Sequence, residues 1–192
     1  MRIAMWSGPR NISTAMMRSF ENRPDCTVSD EPFYGHYLAQ TGLPHPGAQQ
    51  VIASQHTDWQ TVAEELSGPM PDGSSIWYQK HMTHHLLEGM GREWLKKVKS
   101  CFLIRDPHEV LASYVKRRQS VTLADLGFRQ QTELFEASWE NEGICPPVID
   151  SGDSLRQPEK VLRKLCAALE IDFSDKMLNW PCLLYTSPSP RD

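Results

Sequence analysis

A cluster of anion-binding groups lies between the first predicted strand and the first predicted helix. The segment Ser7–Thr14 reads SGPRNIST and joins an apolar run to a helical pattern. A tight turn into a helix directs unpaired backbone N–H groups and the positive end of the helix dipole at one point. Arg10 adds a forked cation, and Ser13 and Thr14 add hydroxyl donors. Such groups bind phosphate, so the segment predicts a site for a phosphorylated nucleotide.

The same segment is not a Walker A loop. The pattern G-x-x-x-x-G-K-[ST] is absent, and Ile12 stands where a glycine or a lysine would help to bind a nucleoside triphosphate. The missing lysine counts against a small-molecule kinase. On its own, the segment is also compatible with an ordinary helix start that carries a surface arginine.

A second strand-to-helix unit carries residues suited to the same kind of ligand. The apolar run Cys101–Ile104 is followed by Arg105, and Ser113 lies eight residues further on, two turns into the next predicted helix. Both side chains can reach one anion above the start of that helix. The spacing Arg-x-Pro-x-x-Val-x-x-Ser is specific and follows a predicted strand, so it strengthens the prediction of a nucleotide site.

Short apolar runs alternate with longer helical patterns along the chain. The predicted strands are Arg2–Trp6, Thr27–Ser29, Ser75–Gln79, Ser100–Ile104 and Pro147–Asp150. The predicted helices are Ser13–Asn22, Asp58–Leu66, Thr83–Val98, Pro107–Arg118, Thr122–Asn141 and Pro158–Leu169. Strands separated by helices predict an α/β fold, a three-layer sandwich with a mostly parallel sheet flanked by helices. Ligands in such sheets bind beyond the carboxyl ends of the strands.

Composition limits the partners of this protein. The 192 residues carry a formal net charge of −4, so the chain lacks the basic excess of a general nucleic-acid or anionic-membrane binder. No apolar run approaches the ~20 residues of a membrane span. The five cysteines form no CxxC pair, which is typical of reduced thiols inside a cell. We therefore expect a cytoplasmic protein that acts on small molecules.

The last eleven residues, Cys182 to Asp192, differ in composition from the rest of the chain. They read CLLYTSPSPRD, and a DNA sequence resembling a transposase-type sequencing adapter encodes all of them in frame. We expect this segment to be a non-native tail. Residues 1–181 are then expected to form one domain that is incomplete at its C-terminus.

Together, the two loops resemble those of the sulfotransferase superfamily, whose members use 3′-phosphoadenosine-5′-phosphosulfate (PAPS) on a P-loop-type fold. The family's first motif, Pro-Lys-Ser-Gly-Thr-Thr, grips the 5′-phosphosulfate and is similar to Pro9–Thr14. Its second motif, Arg-x-Pro-x-x-Val-x-x-Ser, grips the 3′-phosphate and matches Arg105 to Ser113. The resemblance spans both motifs and the strands between them. It is closest to uncharacterised sulfotransferase-like proteins.

The resemblance implies transfer of a sulfuryl group from PAPS to a small hydroxyl or amine acceptor. Arg10 replaces the family's usual lysine and is the implied cation on the leaving phosphate, while Ile12 replaces the loop glycine. The residues implied for cofactor binding are Ser7, Gly8, Arg10, Asn11, Ser13, Thr14, Lys80, Arg105 and Ser113. The altered loop also suits a nucleotide-binding protein that has no sulfotransferase activity.

Two candidates for the catalytic base follow two other predicted strands. Glu31 follows strand two in a Glu-Pro element that several sulfotransferases share. His81 follows strand three beside Lys80, where cytosolic relatives have a Lys-x-His element, so its spacing differs by one residue. We favour Glu31 over His81, with Lys80 assisting the phosphosulfate.

Three histidines near strand three have a spacing that metal sites use. His81, His84 and His85 are related as i, i+3 and i+4. No neighbouring carboxylate or cysteine completes a site at the usual spacing, so we predict no metal.

Overall fold

Five parallel strands form a central sheet in the part of the chain that the computed structural model describes, residues 1–115 and 122–179. The strands are β1 (Arg2–Ser7), β2 (Cys26–Asp30), β3 (Ile76–Met82), β4 (Lys99–Ile104) and β5 (Val148–Asp150). Their order is β2-β3-β1-β4-β5, and every adjacent pair is parallel. The chain therefore fills one side of β1 with β2 and β3 and the other side with β4 and β5.

Helices connect the strands and cover both faces of the sheet. They are α1 (Ser13–Glu21), α2 (Tyr34–Thr41), α3 (Ala48–Ser54), α4 (Trp59–Ser67), α5 (Pro107–Tyr114), α6 (Leu123–Leu126), α7 (Phe128–Glu142), α8 (Ser151–Arg156) and α9 (Pro158–Ala168). Short 3-10 turns span Pro71–Gly73, Thr83–His85, Glu93–Lys97 and Asp175–Leu178. Within the described ranges, no helix has both the length and the apolar character that a bilayer crossing requires. The predicted α/β sandwich is confirmed.

Two apolar cores result because side chains alternate between the faces of a strand. Ile3 and Met5 of β1 pack on one face with α1 and α9. Ala4 and Trp6 pack on the other face with α4, α7 and the turn at 93–97. The sheet is thus buried on both faces, and its edge at the carboxyl ends of the strands is where polar groups can gather.

The third strand is longer than the sequence predicts. We predicted Ser75–Gln79, whereas β3 runs to Met82 and pairs along its length with β1. Lys80 and His81 therefore lie within the strand instead of after it. Because they are consecutive strand residues, their side chains point to opposite faces of the sheet.

The predicted helix Thr83–Val98 is wrong. The segment contains two short 3-10 turns, joined by a loop in which Gly89 has a φ of 86°. That left-handed conformation breaks a right-handed helix. The apolar spacing that suggested a helix instead reflects anchors such as Trp94 and Leu95, which are buried against the second core.

The predicted helix Thr122–Asn141 is divided into α6 and α7 at Gly127, which has a φ of 67°. A methyl group on this glycine would collide with Thr83 Oγ1 and lie 3.1 Å from the backbone nitrogen of His84. The Thr83 hydroxyl also donates a hydrogen bond to the Gly127 carbonyl at 3.0 Å. The break therefore seats α6 and α7 against the turn that follows β3.

We expect Gly127→Ala to lower the free energy of unfolding by about 2–4 kcal/mol. Roughly 1 kcal/mol comes from the positive φ and the rest from the collision with Thr83. Gly143→Ala is the matched control, because Gly143 has a φ of 66° and open space around it, so it should lose only ~1 kcal/mol. Urea unfolding of both variants measures the difference. Equal losses in the two variants would contradict the expectation, because they would show that the residues around Gly127 move to accommodate the methyl group.

Candidate active site

The four loops of interest meet at one edge of the sheet. Because β1 to β4 are parallel, their carboxyl ends point the same way. Asp30 at the end of β2 is paired in register with Lys80 of β3, and Lys80 with Met5 of β1. The order of the strands thus places the loop after β1 between the end of β3 and the end of β4.

The loop after β1 leads directly into the N-terminus of α1. The N-cap residue is Ile12, whose side chain makes no capping hydrogen bond. By contrast, Asp58 and Asp106 cap α4 and α5 through their carboxylates. Thr14 Oγ1 is buried and has no hydrogen-bond partner among the described residues. The start of α1 therefore has amide and hydroxyl donors that an anion could accept, and the predicted phosphate site at this position stays a prediction.

Arg10 brings the two predicted loops together. Its φ is 59°, a left-handed conformation that costs a non-glycine residue about 1–2 kcal/mol. Its Nε–H donates to Ser113 Oγ at 3.0 Å. Arg105 Nη1 donates to the backbone carbonyl of Arg10 at 2.8 Å. Arg10 thus meets Arg105 and Ser113, which follow it by 95 and 103 residues in the chain, and we call these three residues the arginine cluster.

Two contacts of its guanidinium group, one through Nε and one through Nη1, hold Arg105 in place. It follows the last residue of β4, as predicted, and its Nε lies 2.9 Å from Glu109 Oε2, one turn along α5. The second contact, to the loop carbonyl, orients the fork towards the start of α1. An arginine held in this way presents its remaining N–H groups in a fixed geometry, which suits a phosphate.

The side chains of two residues predicted to bind the cofactor, Ser7 and Asn11, make contacts within the protein. Ser7 is 0% exposed and donates to Met82 Sδ at 3.7 Å inside the sheet. The Asn11 amide donates to the carbonyl of Leu103 at 3.4 Å, and Asn11 Oδ1 lies 3.0 Å from Ser151 Oγ. The contacts of Asn11 brace the loop against β4 and α8, and the Ser7 contact holds the end of β1 to β3.

Gly8 is required by a neighbouring helix. A methyl group on this residue would lie 2.8 Å from the Leu126 carbonyl, because the end of α6 packs onto the loop. This packing explains why position 8 is a glycine, and the implied role of Gly8 in cofactor binding stays a prediction.

Lys80 forms a buried ionic cluster with two carboxylates. Its ammonium lies 2.8 Å from Asp30 Oδ1 and 2.7 Å from Glu31 Oε1. Lys80 and Glu31 are 2% and 5% exposed, whereas Asp30 reaches the surface. Burial alone would lower the pKa of Lys80, but the charges of Glu31 and Asp30 outweigh it and raise the pKa above its ordinary value. The lysine is therefore charged.

Glu31 is fixed by its backbone as well as by its ion pair. Its φ is 50°, and its N–H donates to the carbonyl of Lys80 at 3.0 Å. The next helix begins within one turn of Glu31, since the Tyr34 N–H donates to its carbonyl at 2.9 Å. A non-glycine residue held at positive φ beside a buried charge is a feature that functional sites often show.

His81 is in the core and not at the edge of the sheet. It is 1% exposed, stacks on Trp6 with ring centroids 4.3 Å apart, and packs against Phe33 and Trp94. Burial lowers the pKa of His81 to about 3, so the imidazole is neutral at physiological pH. Its placement on the face opposite Lys80 argues against the prediction that it is an alternative base.

His84 and His85, the other two histidines of the metal-like spacing, lie in an aromatic cluster with two tyrosines of α2. His85 stacks on Tyr34 and Tyr37, with centroid distances of 4.9 and 4.7 Å, and His84 meets Tyr37 edge-on. No group of three metal-ligating side chains occurs in residues 1–115 and 122–179. The sequence analysis did not single out Tyr34 and Tyr37. Their i, i+3 spacing shortly after Glu31 indicates that both lie on one face of a helix next to the site.

Comparison with known proteins agrees with this geometry. The profile of the sulfotransferase domain family matches residues 1–188. Two Arabidopsis thaliana proteins are similar in sequence: branched-chain-amino-acid aminotransferase-like protein 2, 32% identical over 190 residues, and protein 1, 34% identical over 191 residues. Each alignment covers 99% of this chain and 33% of the relative. The chain thus spans about a third of the length of these curated relatives.

Solved sulfotransferases share the fold. The sulfotransferase domain of the Synechococcus PCC 7002 olefin synthase aligns with 93% of this chain and 76% of its own, at 17% identity and a TM-score of 0.55. Mouse sulfotransferase SULT7A1, solved in complex with PAP, aligns with 92% of this chain and 61% of its own, at 14% identity and a TM-score of 0.56. Because the family profile matches nearly the whole chain and the fold is that of solved sulfotransferases, this protein belongs to the sulfotransferase domain family of transferases.

Proposed function

We propose that this domain binds PAPS and transfers its sulfuryl group to a small hydroxyl or amine acceptor. The arginine cluster is the observation that carries the proposal. It joins Arg105 and Ser113, the two residues of the 3′-phosphate motif, to the loop that opens α1. A nucleotide with phosphates on both sides of its ribose needs two such anion sites close together, and the structure of mouse SULT7A1 contains PAP at the same fold.

The reaction that follows is an in-line displacement at sulfur. The acceptor oxygen or nitrogen attacks the sulfur, and the bond from sulfur to the bridging oxygen of the 5′-phosphate breaks. The products are the sulfated acceptor and 3′-phosphoadenosine-5′-phosphate (PAP). Such a transfer depends mainly on positioning and on cations and N–H donors around the sulfuryl and leaving oxygens. The first-turn amides of α1, with Ser13 and Thr14, supply the donors.

The acceptor must also lose a proton, and Glu31 is the proposed base. Its carboxylate is at the correct edge of the sheet, close to Lys80, and is held in one geometry by the backbone around it. A carboxylate within hydrogen-bond reach of an acceptor hydroxyl can take its proton as the new bond forms. Lys80 keeps positive charge beside the reacting groups.

Isothermal titration of the chain with PAP tests the proposal, with ATP and Mg²⁺ as the comparison. We expect PAP to bind, and we expect both Arg105→Ala and Ser113→Ala to lower the affinity for PAP. The loss in Arg105→Ala should be at least ~30-fold, because a charged hydrogen-bonding partner of the phosphate is removed. Arg129→Ala is the control, since Arg129 makes the same i, i+4 contact to a glutamate but on an exposed face of α7.

Three results would overturn the proposal: a preference for ATP and Mg²⁺, binding of neither ligand, or an equal loss of affinity in the control. A preference for ATP would favour a kinase of the P-loop type. Binding of PAP without any transfer to a panel of phenols, alcohols and amines would instead favour a nucleotide-binding module.

A further inference from the structure

We infer that Arg10 binds a different part of the nucleotide from the one that the resemblance implies, whereas Lys80 keeps its implied place beside the phosphosulfate. Arg10 belongs to the 3′-phosphate site, and Lys80 is the cation that faces the sulfuryl group and the leaving 5′-phosphate. This inference rests on the proposed function, because it assigns residues within a PAPS site.

The direction of the Arg10 side chain is the first step. Arg10 has a φ of 59°, and its Nε–H donates to Ser113 Oγ on α5 at 3.0 Å. Ser113 is a residue of the 3′-phosphate motif. A guanidinium that hydrogen-bonds its hydroxyl lies within reach of the same anion, because the fork extends ~2 Å beyond Nε. Arg105, which holds the Arg10 carbonyl, completes a site with two arginines.

The place of Lys80 is the second step. Its ammonium lies 2.7 Å from Glu31 Oε1, the proposed base. An in-line displacement puts the acceptor oxygen, the sulfur and the leaving oxygen on one line, with the base beside the acceptor. A cation in contact with the base is therefore next to the reacting atoms. An ammonium has three N–H donors, and the contacts of Lys80 with Asp30 and Glu31 use two of them.

The strand order also places Lys80 and the arginine cluster at separate positions along the edge of the sheet. Lys80 lies on β3 and Arg105 follows β4, with β1 between them. Neighbouring strands are ~4.8 Å apart, so the two strands are about 10 Å apart across the sheet. The loop after β1 therefore lies between Lys80 and the arginine cluster. A nucleotide laid across this loop would place one phosphate near each.

A comparison of PAP with adenosine 5′-monophosphate (AMP), which lacks the 3′-phosphate, separates the two roles. We expect Arg10→Ala to lower the affinity for PAP by ~10- to 100-fold and the affinity for AMP by less than ~3-fold. The variant should therefore lose most of its preference for PAP. We expect Lys80→Met to weaken both nucleotides by the same factor. Arg18→Ala is the control, because Arg18 lies on α1 but pairs with Glu21.

An equal loss of PAP and AMP affinity in Arg10→Ala would overturn the inference and place Arg10 on the 5′-phosphate. A wild-type chain that binds neither nucleotide would overturn the proposed function, and the inference with it. Arg10→Lys gives a second measurement of the role of Arg10, in a variant that keeps the positive charge at this position. It should recover part of the preference for PAP, and a variant that recovers none while AMP binding also falls would count against the inference.

Discussion

Glu31→Gln is expected to lower the turnover of PAPS by about 100- to 10,000-fold, the range that general-base catalysis usually contributes. Glutamine keeps an oxygen that can accept from Lys80, so the buried cluster retains a hydrogen bond in place of the ion pair. It cannot take a proton. PAP affinity should therefore stay within ~3-fold of the wild type, because the arginine cluster is untouched. Release of PAP in the presence of mixed phenol, alcohol and amine acceptors gives the rate.

Asp30→Asn is the matched control for this experiment. Asp30 makes the other contact to Lys80, at 2.8 Å, but its side chain reaches the surface at the end of β2. If Glu31 acts as the base, Asp30→Asn should lose much less activity than Glu31→Gln. Equal losses would mean that both carboxylates act only by holding Lys80, and an active Glu31→Gln would remove Glu31 from the mechanism.

The second large effect concerns stability in acid and comes from His81. The pKa of His81 is about 3 in the folded protein, against 6.5 for an unperturbed histidine. The unfolded chain therefore binds a proton below pH 6.5 while the folded chain does not. By linkage, the stability contributed by neutral His81 is fully present above pH 6.5 and is lost as the pH falls towards 3.

The slope of this loss is about 1.4 kcal/mol per pH unit, so roughly 2 kcal/mol should disappear between pH 6.5 and pH 5. In His81→Phe the histidine no longer titrates, and the variant should lose correspondingly less stability over the same interval. The slopes are compared instead of the absolute stabilities, because phenylalanine also removes the hydrogen bond to Gln79 Oε1. Urea unfolding at several pH values gives both slopes.

His108→Gln serves as the control for this experiment, because His108 is fully exposed at the start of α5 and should not change the slope. A His81→Phe variant with the wild-type slope would show that the acid sensitivity arises elsewhere. A steep slope that disappears with His81 would confirm that this residue is a neutral part of the core.

Local patterns were sufficient to locate the two loops that we propose to bind anions. The strand before Arg105 and the helix that begins at Pro107 are encoded by short, contiguous signals: an apolar run, a proline at the first helical position, and an aspartate at the N-cap. The loop at Ser7–Thr14 has the same character. Such signals depend on neighbours a few residues away, so these two strand-to-helix units could be predicted without the fold.

The ends of elements depended on distant partners. β3 extends through Lys80 and His81 because β1 and β2 offer backbone partners up to Asp30 and Ser7, a condition that the local sequence does not contain. An extension by three residues determines which of two adjacent side chains faces the core. Residue spacing made Lys80 and His81 equally plausible members of the site, and the parity of the strand separates them.

The direction of Arg10 and the meeting of Glu31 with Lys80 also lie beyond any local rule. Both Arg10 and Glu31 adopt positive φ, which local propensity disfavours and surrounding contacts enforce. The sequence determines which residues of this protein can bind anions and after which strands they lie. Their partners are determined by the pairing of β2 with β3 and of β1 with β4, because the contacts that join them cross from 49 to 103 residues of chain.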